Sequence, residues 1–358
     1  MIFGTVATPT VTLGEGNTPL VASGVLARQL GRPGLYFKLE SCNPTGSFKD
    51  RFAAAEVRAM QAAGHRFCLA SSSGNTGSAL AAYCARGGLR CHLFVTDETP
   101  EDKVLQARAY GAQVYRVAGY GNDPRAAADV DALLLRIAGD HKVPFVVSAY
   151  RYCAESMEQL GTISHEMVYQ LGSVPDHVFV PVGGGGLLTA VWRGFQTLHG
   201  AGRIGRLPRV HGVQPSGNPT VVNAWQARSR DVPPVVSTTR ISGLIVPFDV
   251  DGALALEAIY ESGGRAVAVS DESIWAAQRV LSTGEGIYAE PAGSASVAGF
   301  GEAVRAGWIA ESNRVVCLVT GHGFKDLRSV DSLARDNPLR LVTPDRIAAL
   351  DFDAAAPR

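Results

Sequence analysis

The chain has 358 residues, 46% of them hydrophobic and 18% charged, with 33 Lys plus Arg against 33 Asp plus Glu. That composition excludes a disordered chain, and the balanced charge gives no basic face for nucleic acid and no acidic tail. No run of about 18 apolar residues is available to span a bilayer, and no basic segment with an apolar core opens the chain. A cytoplasmic protein without nucleic-acid or membrane partners is expected. The six cysteines, Cys42, Cys68, Cys84, Cys91, Cys153 and Cys317, contain no C-x-x-C pair. Most sit in apolar runs, which reads as buried free thiols rather than zinc ligands or a disulfide framework; no metal is expected.

Gly14-Glu15-Gly16-Asn17-Thr18-Pro19-Leu20 reads as a loop. From Leu35 onward, strand-like runs are predicted near 35–40, 67–72, 90–96, 113–118, 144–148, 177–182, 209–213, 265–269 and 314–320. Helical patterns are predicted over 53–63, 76–87, 101–110, 124–138, 157–171, 187–198, 271–282 and 292–306. Regular alternation with near-continuous apolar strands such as His177 to Val182 predicts an α/β fold with parallel strands buried on both faces. Nine runs are many for one open sheet, so two sheets in two lobes are expected, with ligands at the carboxyl ends of the strands. Residues 221–250 read as loops and short helices, and the chain after Lys325 as an extension on the surface or at a subunit contact.

Between the first predicted strand and the first long helix lies Ser41-Cys42-Asn43-Pro44-Thr45-Gly46-Ser47-Phe48-Lys49-Asp50-Arg51. Asn, Pro and Gly here are turn residues, and Ser47 is the predicted N-cap. Lys49 then falls in a first helical turn, where the helix dipole disfavours a cation. It reads either as a solvated lysine or as one kept neutral or consumed covalently as a Schiff base.

Three glycine-bearing loops are each predicted to follow a strand and open a helix, where backbone amides attract an anion. Ser71-Ser72-Ser73-Gly74-Asn75-Thr76-Gly77 offers four hydroxyls and an amide where a helix cap needs one hydroxyl. Val182-Gly183-Gly184-Gly185-Gly186-Leu187 lets the backbone wrap a phosphate. It is neither a P-loop nor a dinucleotide fingerprint, because no Gly-Lys-Ser/Thr follows and position 188 is Leu. Val319-Thr320-Gly321-His322-Gly323 either ends the sheet or presents a hydroxyl to a heterocyclic nitrogen, and His322 reads as structural. A reactive lysine, an anion loop, a phosphate cradle and a strand-end hydroxyl together match the four needs of pyridoxal phosphate.

At these residues, together with Gly14 to Leu20 and Glu290-Pro291-Ala292, the chain resembles the fold type II pyridoxal-phosphate enzymes (the tryptophan synthase β-like family), and most closely the threonine synthases. The resemblance implies a two-lobed architecture of open, mostly parallel twisted sheets with helices on both faces and the cofactor in the cleft. It implies a large cofactor-binding domain (1–51 plus 148–330), a small mobile domain (52–147) and a C-terminal extension (331–358), in a homodimer. Lys49 would form the Schiff base, Asn75 would bond the ring oxygen beside it, Gly183, Gly184, Gly185, Gly186 and Leu187 would hold the phosphate, and Thr320 would meet the ring nitrogen. Ser72, Ser73 and Thr76 would grip the carboxylate of an amino-acid substrate. The implied activity is a lyase reaction, γ-elimination of phosphate from O-phosphohomoserine followed by hydration at Cβ to L-threonine.

Two features differ from the threonine-synthase pattern. The cradle is all glycine, as is more usual in serine/threonine dehydratases. Within Cys153 to Thr162, Ser156 and Gly161 stand where the pattern carries an arginine and a lysine for the substrate's phosphate. A second reading therefore stays open: elimination from serine or threonine, or β-replacement on an O-activated serine to make a non-standard amino acid.

Overall fold

The computed structural model describes residues 11–120, 124–335, 337–350 and 352. The outermost parts of the expected large domain (1–10) and C-terminal extension (353–358) lie outside the described residues. The nine apolar runs form strands, and a tenth, short one precedes them. In chain order they are β1 (Leu20–Ala22), β2 (Leu35–Leu39), β3 (Phe67–Ser71), β4 (Arg90–Thr96), β5 (Gln113–Val117), β6 (Phe145–Val146), β7 (His177–Pro181), β8 (Arg209–Pro215), β9 (Ala266–Val269) and β10 (Val315–Val319).

These strands make two sheets, as the count of runs suggested. The larger has the order β1-β2-β10-β7-β8-β9 and the smaller β5-β4-β3-β6. Every pair is parallel except β1–β2. β1 escaped sequence reading because it has three residues and is half exposed, so it lacks the buried apolar run that marks the others.

Alternation along the central strands explains their continuous hydrophobicity. On β7, Val178 and Val180 join one buried cluster with Val210 and Leu188, while Phe179 joins another with Phe37, Val213 and Phe300. The helix Gly186–Gly200 covers the first face and Pro291–Arg305 the second, so both faces of β7 exclude water. The first cluster also contains Cys68 and Leu93 of the small sheet and Phe52 of the helix Lys49–Ala62, so one apolar core links the two sheets.

The predicted helix 157–171 is two helices, Tyr150–Glu158 and Thr162–Leu171, separated by a single tight turn, Gln159–Gly161. A Cβ on Gly194 would collide with the carbonyl of Gly161, and one on Gly161 would lie 3.1 Å from the carbonyl of Ala190. Two glycines therefore let this turn press against the helix Gly186–Gly200. Helices Val25–Leu30, Thr220–Gln226, Gly252–Glu261 and Leu327–Ala334 were not individually predicted.

Candidate active site

The carboxyl ends of β2, β3, β6, β7 and β10 lead into the loops that enclose a cavity of about 420 Å³. Lys49, Ser72, Asn75, Thr76, the tetraglycine and Leu187, and Thr320 all line it. These residues are separated by up to 271 positions in the chain (320 − 49), and the parallel sheets collect them at one edge. Ser73 does not line this cavity.

The turn before Lys49 closes with the Gly46 amide donating to the Asn43 carbonyl at 2.8 Å. The helix begins one residue later than Ser47 would dictate: Phe48 occupies the N-cap, and the Ser47 hydroxyl only weakly accepts from the Lys49 amide at 3.4 Å. Asp50 caps the turn instead, its carboxylate accepting from the Thr45 amide at 3.1 Å and the Thr45 hydroxyl at 2.8 Å.

Arg51 anchors the segment. Its guanidinium donates twice to Glu40 at 2.8 Å and twice to Glu166, at 2.5 and 2.8 Å. Lys38 completes the group, donating to Glu166 at 2.6 Å, to Gln170 at 2.9 Å and to the Thr18 carbonyl at 2.7 Å. Burial alone would raise the Glu166 pKa, but Arg51 and Lys38 override it and hold the carboxyl down to about 2. Such a network of bidentate, charge-assisted bonds fixes the orientation of the helix that carries Lys49.

Lys49 faces the cavity and donates from Nζ to the Ser148 hydroxyl at 2.6 Å, and the Ser148 and Thr76 hydroxyls are hydrogen-bonded to each other at 3.0 Å. Desolvation lowers the lysine from 10.5 to about 8, with Asp251 and Glu290 pulling it back up. The awkward first-turn lysine is thus a desolvated amine in a cleft rather than a solvated one.

Asn75 begins the helix Asn75–Gly87, and its side-chain amide donates to Glu290 at 2.9 Å. Burial pushes the Glu290 carboxyl up to about 7, against the opposing pull of Lys325 and the Asn75 hydrogen bond. The Ser72 hydroxyl accepts from the Gly77 amide at 3.2 Å, so it serves the helix start as well as the cavity wall.

The tetraglycine leads into the helix Gly186–Gly200. Gly185 has φ of 106°, a conformation that L side chains rarely adopt, and a Cβ there would meet the Asp251 carbonyl. The Asp251 amide donates to the Gly184 carbonyl at 2.8 Å, and its carboxylate accepts from the Tyr150 amide at 2.9 Å. Burial raises the Asp251 pKa. Thr320 is buried, and its carbonyl accepts from the Phe48 amide at 3.1 Å. His322 is structural: its Nδ1 accepts from the Phe324 amide and its ring stacks on Phe324.

Ser148, Asp251 and Glu166 gave no sequence signal, because each is a lone polar residue without a motif. Glu290 had one, in Glu290-Pro291-Ala292, where the proline opens the helix Pro291–Arg305. Ser156 and Gly161 are packing positions. Ser156 is buried and donates to Glu56 at 2.6 Å, and Gly161 is the close approach to Gly194 described above.

A desolvated lysine amine beside a helix N-terminus stripped of Cβ atoms, in a cleft at the ends of parallel strands, defines a lysine-anchored site for a small phosphorylated cofactor. The residues fit an aldehyde that bears a phosphate and an aromatic ring: the amine points into the cavity, the glycine amides leave room for phosphate oxygens, and hydroxyls lie across from both.

The chain belongs to the pyridoxal-phosphate dependent enzyme family, whose model matches residues 11–321. It is 38% identical to the threonine synthase of Methanocaldococcus jannaschii, over 88% of this chain and 76% of that protein. It is 36% identical to the threonine synthase of Mycobacterium tuberculosis, over 92% and 86%. Among solved structures it resembles maize serine racemase with a TM-score of 0.74 at 22% identity, covering 89% of this chain and 92% of that one. It also resembles O-ureido-L-serine synthase, with a TM-score of 0.69 at 23% identity, covering 95% and 99%. At that identity these two share the fold alone, which is the two-sheet α/β architecture expected from the sequence.

Proposed function

We propose that the protein is a threonine-synthase-like lyase that removes phosphate from O-phosphohomoserine and adds water at Cβ to give L-threonine. The observation that carries this reading is the desolvated Lys49 amine in a hydroxyl- and glycine-lined cavity, in a chain 38% identical to a threonine synthase. When bound, pyridoxal phosphate supplies an aldehyde that takes up an amine and a ring that draws electrons from the carbon bearing it. Gly183, Gly184, Gly185 and Gly186 with Leu187 would hold its phosphate, Asn75 its ring oxygen, Thr320 its ring nitrogen and Lys49 its aldehyde. Ser72 and Thr76, which line the cavity, would take the substrate carboxylate.

The Lys49 amine, when free, would be the base for the Cα proton and then for a Cβ proton. Its pKa near 8 supports that role, since a base works best when poised near the operating pH. Ser148 accepts from Nζ and keeps the amine aimed across the cleft. Residues 1–51 with 148–330 are assigned as the cofactor domain and 52–147 as a smaller lobe that closes over the substrate and excludes water. In support, the four-stranded sheet lies wholly within Phe67 to Val146, the loop and helix after its strand β3 carry Ser72 and Thr76, and Lys49, the tetraglycine and Thr320 flank the other sheet. A homodimer in the cytosol belongs to the same proposal, and the exposed Phe324, Leu339 and Leu341 support a subunit contact.

A second reading has one observation in its favour. Lys49 is the sole lysine or arginine among the described residues that line the cavity, and Ser156 and Gly161 are committed to packing. A phosphorylated substrate would then forgo charge-assisted bonds worth about 1.5–3 kcal/mol each. Elimination from serine or threonine, or β-replacement on an O-activated serine, needs no such cation.

Product analysis separates the two. Inorganic phosphate and threonine formed in equal amounts from O-phosphohomoserine support the first reading. A 2-oxoacid formed from threonine or serine, with O-phosphohomoserine left intact, supports the second. Full turnover by Lys49→Ala would remove the lysine from both.

A further inference from the structure

The small sheet holds a second chemical cluster that the proposed reaction does not use. Cys68 on β3 pairs directly with Cys91 on β4, and Cys84 lies on the helix Asn75–Gly87. The three sulfur atoms lie within 4.8 Å of one another. All three residues are buried, Cys68 and Cys84 at 0% and Cys91 at 5% exposure. Positions 68, 84 and 91 match no metal motif, and the grouping arises from strand pairing and helix packing.

The donor set narrows the ligand. A metal–sulfur bond of about 2.3 Å in a trigonal plane separates sulfurs by about 4 Å, so a metal needs the cluster to tighten by less than about 1 Å. Zinc in a structural site takes four ligands. Among the described residues no fourth histidine, cysteine or carboxylate joins the group. His92, next along β4, is engaged with the Tyr115 hydroxyl. Three sulfurs in a dry apolar setting select a soft ion content with low coordination, which among physiological metals is monovalent copper.

We propose that Cys68, Cys84 and Cys91 form a three-sulfur site for copper(I). Coordination forms Cu–S bonds, breaks S–H bonds and releases the thiol protons to solvent; copper enters and remains in the +1 state, so no electron acceptor is needed. The ion would tie the helix that opens with Asn75 and Thr76 to the strand pair whose β3 runs into Ser71 and Ser72. It would stiffen the lobe proposed to carry the substrate loop while staying outside the cavity.

The test uses the cofactor-loaded protein without oxygen, given one equivalent of copper(I) as its acetonitrile complex in competition with a colorimetric copper(I) chelator. The expected result is one copper retained per chain, with three sulfur neighbours and no nitrogen by copper X-ray absorption. Cys84→Ala, a small change in an alanine-rich helix, should weaken retention by more than about a hundredfold, beyond the cost of losing an outer-sphere partner. Cys42→Ser, at an exposed position, should leave retention unchanged. Copper lost entirely to the chelator by the folded wild type overturns the proposal, as does retention that survives Cys84→Ala or a Cys68–Cys91 disulfide formed in place of copper binding. Should Cys84→Ala fail to fold, the wild-type sulfur count decides alone, and fewer than three sulfurs overturns it.

Discussion

Replacing Lys49 by methionine should make the cofactor-free protein more stable at pH 7, even as it abolishes turnover. Desolvation holds the folded-state pKa of Lys49 at about 8 against 10.5 for a free lysine. Below pH 8 the folded chain must carry a buried ammonium that the unfolded chain hydrates freely. That difference costs the fold about 3 kcal/mol, at about 1.36 kcal/mol for each tenfold change. The cost is full below pH 8, shrinks as pH rises from 8 towards 10.5, and is gone above 10.5, because in that window the unfolded state binds the extra proton. Methionine is of similar length and apolar, so it fills the space without the charge. Losing the bond from the charged Nζ to Ser148 takes back about 1.5 kcal/mol. The variant should therefore gain about 1.5 kcal/mol at pH 7 and nearly nothing at pH 10. Urea unfolding of both cofactor-free proteins at the two pH values reads this directly, and taking the difference cancels the titrating groups that do not face Lys49, Asp251 and Glu290 being the two that do. A variant less stable at pH 7, or an advantage that does not shrink with pH, would refute a desolvated Lys49.

Three further substitutions probe the supports of the site. Ser148→Ala should lower turnover roughly ten- to a hundredfold in steady-state assays while leaving the fold intact, since it removes an acceptor worth about 1.5–3 kcal/mol to a charged donor. Gly185→Ala should weaken cofactor retention at least about tenfold in equilibrium dialysis, because a φ of 106° is strained for alanine and its methyl meets the Asp251 carbonyl. Glu166→Gln should destabilise the protein by about 3–5 kcal/mol in urea unfolding, as it leaves Lys38 buried without its carboxylate. Glu166 titrates at about 2 when folded, against 4.5 normally, so its contribution is full above pH 4.5 and fades as pH falls through 2. The wild type's margin over Glu166→Gln should shrink over that acid range.

Lys49, the serine-rich loop, the tetraglycine and Thr320 were legible in the chain because each sits in a run whose composition exceeds what a turn or cap requires. Four glycines and four clustered hydroxyls are local facts, and so is the alternation of apolar strands with helices. The β2–Lys49 segment shows the limit of such reading. Its turn and its following helix were evident, but the cap belongs to Asp50 and Thr45 rather than to Ser47, a choice made by side chains meeting across five residues.

Ser156 and Gly161 mark the boundary from the other side. Sequence alone showed what these positions lack, an arginine and a lysine. Packing showed what they do: Ser156 satisfies a buried Glu56, and Gly161 admits a helix backbone. The α/β architecture and the cofactor chemistry follow from short-range pattern and could be read along the chain. That Ser148 faces Lys49, that Glu290 meets Asn75, that Glu166 holds Arg51, and that three cysteines bring their sulfurs together are settled by packing. Apart from Cys84 and Cys91, which are close in the chain, each of these contacts joins residues at least 16 positions apart, and only strand order and helix packing fix which distant side chains meet.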